Sequence, residues 1–155
     1  MADLTVKITE TISLNGKDQG GTYSKTISGI NDIYKRIVTV PSGGDTTIAT
    51  FQTAVSTSDV AMDLESIKYI RVTNLDGTNS VNLSLQIAGG EDGSANMSAT
   101  VLLEAGKSFM LGTVHDGIAV DDDAAGIVTA LTDLESILVD SASNAVQLEV
   151  LIASA

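Results

Sequence analysis

The chain has no cysteine and no tryptophan, one proline (Pro41), one histidine (His115), and only two phenylalanines and three tyrosines in 155 residues. The missing cysteine rules out disulfides and thiolate nucleophiles, and it fits synthesis in a reducing cytoplasm. One histidine and no cysteine leave a zinc centre short of its usual ligands. A Ser–His–Asp arrangement would have to use His115, which sits in the loop-type stretch Thr113-Val114-His115-Asp116-Gly117. No serine lies in the G-x-S-x-G context of a nucleophile elbow, so the expectation is a surface histidine and no enzyme. Lack of tryptophan also weakens any sugar-stacking role, whether in a glycosidase or in a binding module. With a single proline against 14 glycines, turns must come from Gly, Asn and Asp, which tolerate positive φ. No apolar run approaches the ~20 residues of a membrane helix. The opening Met1-Ala2-Asp3-Leu4-Thr5 lacks the basic and apolar regions of a signal peptide.

Positive charge is scarce. Eight Lys and Arg face 20 Asp and Glu, for a net charge of −12. Such a surface repels phosphate backbones and anionic lipid, and the scattered basic residues form no stripe, so neither nucleic acid nor membrane is an expected partner. A basic protein partner is compatible. Lys7, Lys17 and Lys25 make the first part of the chain less acidic than the rest. Glu104-Ala105-Gly106-Lys107-Ser108 ends like a phosphate loop but lacks the earlier glycine and follows a strand-like segment, so it is read as a turn. Asp121-Asp122-Asp123, with Asp116 nearby, concentrates carboxylates in one segment. These four are the candidate calcium ligands. The EF-hand spacing is absent, and adjacent like charges favour a solvated loop tip. Glu91-Asp92-Gly93 is a second, weaker candidate. No cofactor and no small-molecule substrate are otherwise expected.

What the chain does have is period-two alternation. Leu4, Val6, Ile8, Ile12 and Leu14 share one parity, broken at Glu10. They predict a long N-terminal strand, bent near residues 9–10 and ended by Asn15-Gly16. Further strands are expected at 22–28, 30–40, 46–52, 67–74, 81–88, 98–103, 107–111, 118–120, 137–141 and 146–153. Residues 54–65 are expected to form a loop with one helical turn, and 127–131 a strand or a helical turn. The phrase Asp63-Leu64-Glu65-Ser66-Ile67 returns as Asp133-Leu134-Glu135-Ser136-Ile137, and each copy leads to an alternating run, Val81 to Ala88 and Val146 to Ala153. We read the echo as one β-hairpin unit used twice, with Leu64 and Leu134 plugging the core and the flanking acids solvated. Residues 98–103 and 107–111 are read as another hairpin. The fold class is all-β: a single domain over residues 1–155, an antiparallel, jelly-roll-like β-sandwich of about eight to ten short strands.

Several segments together carry a family resemblance. They are Lys7-Ile8-Thr9-Glu10 with Leu14-Asn15-Gly16, Ile27-Ser28-Gly29-Ile30-Asn31, Tyr34-Lys35-Arg36-Ile37-Val38-Thr39-Val40-Pro41, Ile70-Arg71-Val72-Thr73-Asn74-Leu75-Asp76, and Leu103-Glu104-Ala105-Gly106-Lys107-Ser108-Phe109. In these strands and turns the chain resembles small, uncharacterised virion structural proteins of tailed bacteriophages, marine ones above all. The resemblance implies a particle component made in the host cytoplasm: a capsid decoration or cement protein bridging subunits of the major capsid protein, or a neck, tail or fibre component. It transfers no site residues. A homotrimer is expected by analogy with decoration proteins. For intersubunit contact the favoured elements are the N-terminal strand, residues 1–15, used as an arm, and the C-terminal strand. The interface candidates are Leu4, Val6, Ile8, Ile12, Val150 and Ile152. A calcium-dependent carbohydrate-binding module using residues 116–123 is the alternative from another class.

Overall fold

The computed structural model describes residues 1–52, 61–63, 66–87, 97–112, 119–120 and 132–155, and they are all strand, turn or loop apart from a single 3₁₀ residue at Ser66. Fourteen strands are assigned among them. Ten have five residues or more: β1 (Ala2–Glu10), β4 (Gly21–Ile30), β5 (Asp32–Val40), β6 (Thr46–Gln52), β8 (Ile67–Asn74), β9 (Val81–Ile87), β10 (Met97–Leu103), β11 (Ser108–Gly112), β13 (Thr132–Asp140) and β14 (Val146–Ser154). The shorter ones are β2 (Ser13–Leu14), β3 (Lys17–Asp18), β7 (Ala61–Asp63) and β12 (Ala119–Val120).

Two sheets face each other. One runs β11-β8-β14-β5. The other runs β10-β9-β13-β6, extended by the parallel β7, with β12 beside β13. The chain steps from one sheet to the other between β5 and β6, β7 and β8, β8 and β9, β10 and β11, β11 and β12, and β13 and β14. This is jelly-roll order: eight strands in two four-stranded sheets, joined by arches. The all-β sandwich expected from alternation is therefore the fold.

Alternation explains why each strand takes its place. In β9, Val81, Leu83, Leu85 and Ile87 are buried; in β14, Val146, Leu148, Val150 and Ile152 are. All of these but Ile87, together with Ile70 and Val72 of β8, Leu134, Ile137 and Val139 of β13, and Phe51 and Ile48 of β6, make one largely aliphatic core. Each fully buried side chain of this size contributes about 1.5–3 kcal/mol of transfer free energy. That burial fixes register, because a one-residue slip would turn a whole row to solvent.

The repeated phrase needs correction. Its two units are not hairpins. β8 and β9 belong to different sheets, as do β13 and β14; β8 pairs with β14, and β9 pairs with β13. The echo is thus an interleaved pair of arches, each strand of one unit bonded to the opposite-numbered strand of the other. β10 and β11 likewise form an arch, pairing with β9 and β8. Alternation specifies which side chains face inward but not which strand lies alongside. Leu134 is fully buried as expected, whereas Leu64 lies outside the described residues. So does most of segment 54–65, of which 61–63 form β7, and all of 127–131.

Polar side chains lace the arches together at one end of the sandwich. Asn74 is 1% exposed. Its Nδ2 donates to the Asn79 carbonyl at 2.8 Å and to the Leu103 carbonyl at 3.2 Å, and its Oδ1 accepts from the Asp76 amide at 2.9 Å. Ser141 Oγ donates to the Pro41 carbonyl at 2.7 Å, and Asn144 Nδ2 to Asn79 Oδ1 at 3.1 Å.

Candidate assembly surface

The N-terminal 30 residues stand apart from the two sheets. β1 pairs with β4, and β2 with β3, in one register from Leu4↔Ile27 to Leu14↔Lys17. The pairing is interrupted only at 11–12 and 19–20, where Gln19 N still donates to the Ile12 carbonyl at 2.9 Å. Asn15 (φ 53°) and Gly16 (φ 73°) close the hairpin. Both central residues have positive φ, as a two-residue type I′ turn requires. At the interruption, Gly20 lies so close to the Glu10 carbonyl that a Cβ there would sit 2.2 Å from the oxygen.

Constant register makes the hairpin two-faced. One face carries Leu4, Ile27, Val6, Ile8, Tyr23, Ile12 and Leu14, together with Lys25, Lys17 and Glu10. The other carries Thr5 and Thr26, Thr9 and Thr22, and Lys7 and Ser24 as cross-strand pairs. The first two of these pairs join through hydroxyls at 3.3 and 3.5 Å. The inner part of the apolar face is seated on the molecule's own sheet: Leu4, Val6 and Ile27 pack with Ile30 around Tyr69, Leu151 and Ala153. Beyond that seat the row continues without cover. Ile8 is 39% exposed, Ile12 52%, Leu14 59% and Tyr23 60%.

The sandwich's two outer faces differ in chemistry. The face of β9, β10 and β13 is lined by Asn82, Ser84, Gln86, Ser98, Thr100 and Asp140, and Gln86 Nε2 and Thr100 Oγ1 both donate to Ser84 Oγ at 2.8 and 3.1 Å. It needs no cover. The face of β11, β8, β14 and β5 presents Tyr69, Leu151 and Ala153 under the hairpin, with exposed Met110 on one flank and Ile33 and Ile37 on the other. Two cations share one carboxylate on it: Arg71 Nη2 donates to Glu149 Oε1, while Lys35 Nζ is 3.3 Å from Glu149 Oε2. Burial raises the Tyr69 phenol above its ordinary range, and Arg71 beside it pulls the other way. Between β1 and this face runs a cleft of about 420 Å³, lined by Leu4 to Ile8, Tyr69, Arg71, Ser108, Met110 and Leu151.

The expected interface residues separate accordingly. Ile8 and Ile12 lie on the exposed part of the hairpin, and Leu4 and Val6 are half-buried where it meets the sheet. Val150 and Ile152 are withdrawn as contacts. They are 0% and 1% exposed, because their parity places them in the sandwich core. Asp116, Asp121, Asp122, Asp123 and His115 fall outside the described residues, as does the Glu91–Gly93 stretch. Among the described residues no three His, Cys, Asp or Glu side chains gather as a metal site would require. Sequence reading missed Tyr69, Leu151, Met110 and Tyr23. Its available signal was the unbroken run Val150-Leu151-Ile152-Ala153, since apolar residues at both parities mark a strand covered on both faces.

No family model and no curated protein matches the chain. Among solved structures it is similar to a Bacillus endospore appendage chain described as one of a novel family of disulfide-linked pili. The identity is 13%, over 79% of this chain and 87% of that one, with a TM-score of 0.39. A likeness of that degree carries no functional argument.

Proposed function

We propose that this protein is a non-enzymatic structural subunit of a tailed-phage particle, a capsid decoration protein that forms a homotrimer and bridges neighbouring subunits of the major capsid protein. The observation that carries the reading is the amphipathic hairpin, whose apolar row runs past its own seat into solvent. A soluble monomer rarely leaves a contiguous apolar row uncovered unless it serves contact. The aliphatic, arch-laced sandwich suits such a role, since a bridging protein works through surface and shape. The family resemblance supplies the particle, and the hairpin supplies a means of joining it.

The test is to purify particles from a phage whose genome encodes this chain, quantify the protein by mass spectrometry, and find its density by cryo-electron microscopy. The expected result is a fixed ratio to the major capsid protein, with density on the outside of the head in groups of three. Density at the neck, tail or fibre would replace decoration by another structural role. Protein free in the lysate and missing from mature particles would overturn the reading.

A further inference from the structure

We infer that the cleft between β1 and the outer face of β8 and β11 is a docking site for the hairpin tip of a second copy of this chain, giving a head-to-tail contact. The inference deepens the assembly reading above by naming the contact between copies.

The cleft lies along an open strand edge. β1 contributes five consecutive residues to its wall, Leu4 to Ile8, while β4 contributes none, so the cavity is on the side of β1 away from β4, its partner strand among the described residues. No other described strand pairs with that edge, and an arriving strand could pair there, the usual basis of strand addition. The floor is of mixed chemistry: Tyr69, Leu151 and the half-exposed Met110 are apolar, and Arg71 keeps a buried Nε with no hydrogen-bond partner.

Two observations select a second copy as occupant. First, this sheet face already accepts this hairpin. Leu4, Val6 and Ile27 sit on Tyr69, Leu151 and Ala153, and the tip of the hairpin repeats the same chemistry in Ile12 and Leu14. Second, charge is divided between arm and body. Residues 1–30 contain three lysines and three carboxylates and carry no net charge, whereas residues 31–155 contain five basic and 17 acidic residues and carry the full −12. Two bodies repel each other, but a neutral arm reaches a second body at little electrostatic cost. The hairpin tip and the cleft are different surfaces, so the contact is heterologous. It closes into a ring when the rotation permits, as a trimer requires.

The experiment exploits the absence of native cysteine. Ile12→Cys and Met110→Cys are made as separate full-length variants, one carrying a mass tag, then mixed and oxidised. Both positions are about half exposed, and thermal melts followed by circular dichroism verify folding. Docking predicts a mixed disulfide between tip and cleft, formed on the order of tenfold or more faster than with Thr100→Cys, on the polar outer face, as partner, because binding raises effective concentration. In parallel, Ile12→Asp with Leu14→Asp should lower the mass seen by light scattering to that of the monomer with the melt unchanged. Linkage no faster than the Thr100→Cys control, or preferential tip-to-tip linkage of Ile12→Cys with itself, overturns the inference. Linkage as expected in a protein absent from particles would remove the virion role and leave the contact. Protein present in particles without linkage would do the reverse.

Discussion

At the scale of single residues, two side chains hold the β8–β9 arch, and each has a testable signature. Asn74 ties together the Asn79 carbonyl, the Leu103 carbonyl and the Asp76 amide from a position 1% exposed. Asn74→Leu keeps the volume but strands those groups, at about 1–3 kcal/mol for each buried group left unpaired. Urea unfolding should show a lower midpoint with an unchanged slope; an unchanged midpoint would mean that water replaces the amide. Asp76 is the charged counterpart. Its Oδ1 accepts from the Asn79 and Thr78 amides, both at 2.7 Å, and from Asn79 Nδ2 at 3.1 Å. These bonds, the Asn79 amide foremost, hold its carboxyl below the ordinary value. A carboxylate lowered in the folded state adds stability that is present above its unfolded pKa and disappears as pH falls through the folded one. Melting temperature should therefore drop more steeply below about pH 4 in the wild type than in Asp76→Asn, which has no charge to lose. Parallel acid limbs in the two proteins would show that the turn is indifferent to this charge.

At the scale of elements, the hairpin depends on the close approach at Gly20. A methyl group there would sit 2.2 Å from the Glu10 carbonyl oxygen, a backbone atom that cannot swing aside. Gly20→Ala should splay the hairpin between β1–β4 and β2–β3. Self-association by light scattering should weaken, while the sandwich, whose core holds no residue before Tyr34, keeps its near-unchanged melt. A melt lowered as much as by a core truncation, about 2–5 kcal/mol, would mean that the hairpin and the sandwich unfold together. Much of this architecture was legible beforehand. Strand positions such as 46–52 and 67–74 coincide with β6 and β8, and the Asn15-Gly16 turn is present, because period and turn chemistry are local; the break expected near residues 9–10 falls instead at 11–12, after the regularly paired Thr9 and Glu10. Arches were mistaken for hairpins because both need the same alternation and the same turn residues, and only long-range pairing tells them apart. The candidate surface was half legible for a related reason. Parity puts Ile8 and Ile12 on the exposed row of the hairpin, but the same parity in β14 puts Val150 and Ile152 in the interior, and no local signal states which side of a strand a second layer will cover.

At the scale of the whole molecule, the structure divides into a sandwich with its own core and an arm with a smaller one. The large cluster runs from Tyr34 to Ile152, whereas the arm's apolar residues cluster, among the described residues, with Tyr69, Leu151 and Ala153. A chain beginning at Asn31 should therefore still fold. Its circular dichroism should remain that of a β protein, and its urea transition should stay cooperative with a smaller slope, since less surface is exposed on unfolding. It should also be more weakly stable, having lost the cover over three outward side chains. Removing a neutral arm leaves the net charge at −12 on a smaller body, so copies of the truncated chain should repel one another and stay monomeric. Added salt distinguishes the two forms. Between the intact chains it screens the repulsion of the bodies over roughly 10 Å at 0.1 M, leaves the apolar contact of the arm in place, and should strengthen association; the truncated chain should show no comparable gain. Loss of the cooperative transition on truncation would show that arm and sandwich are one folding unit. Salt-driven association of both forms alike would place the contact on the bodies instead of the arm.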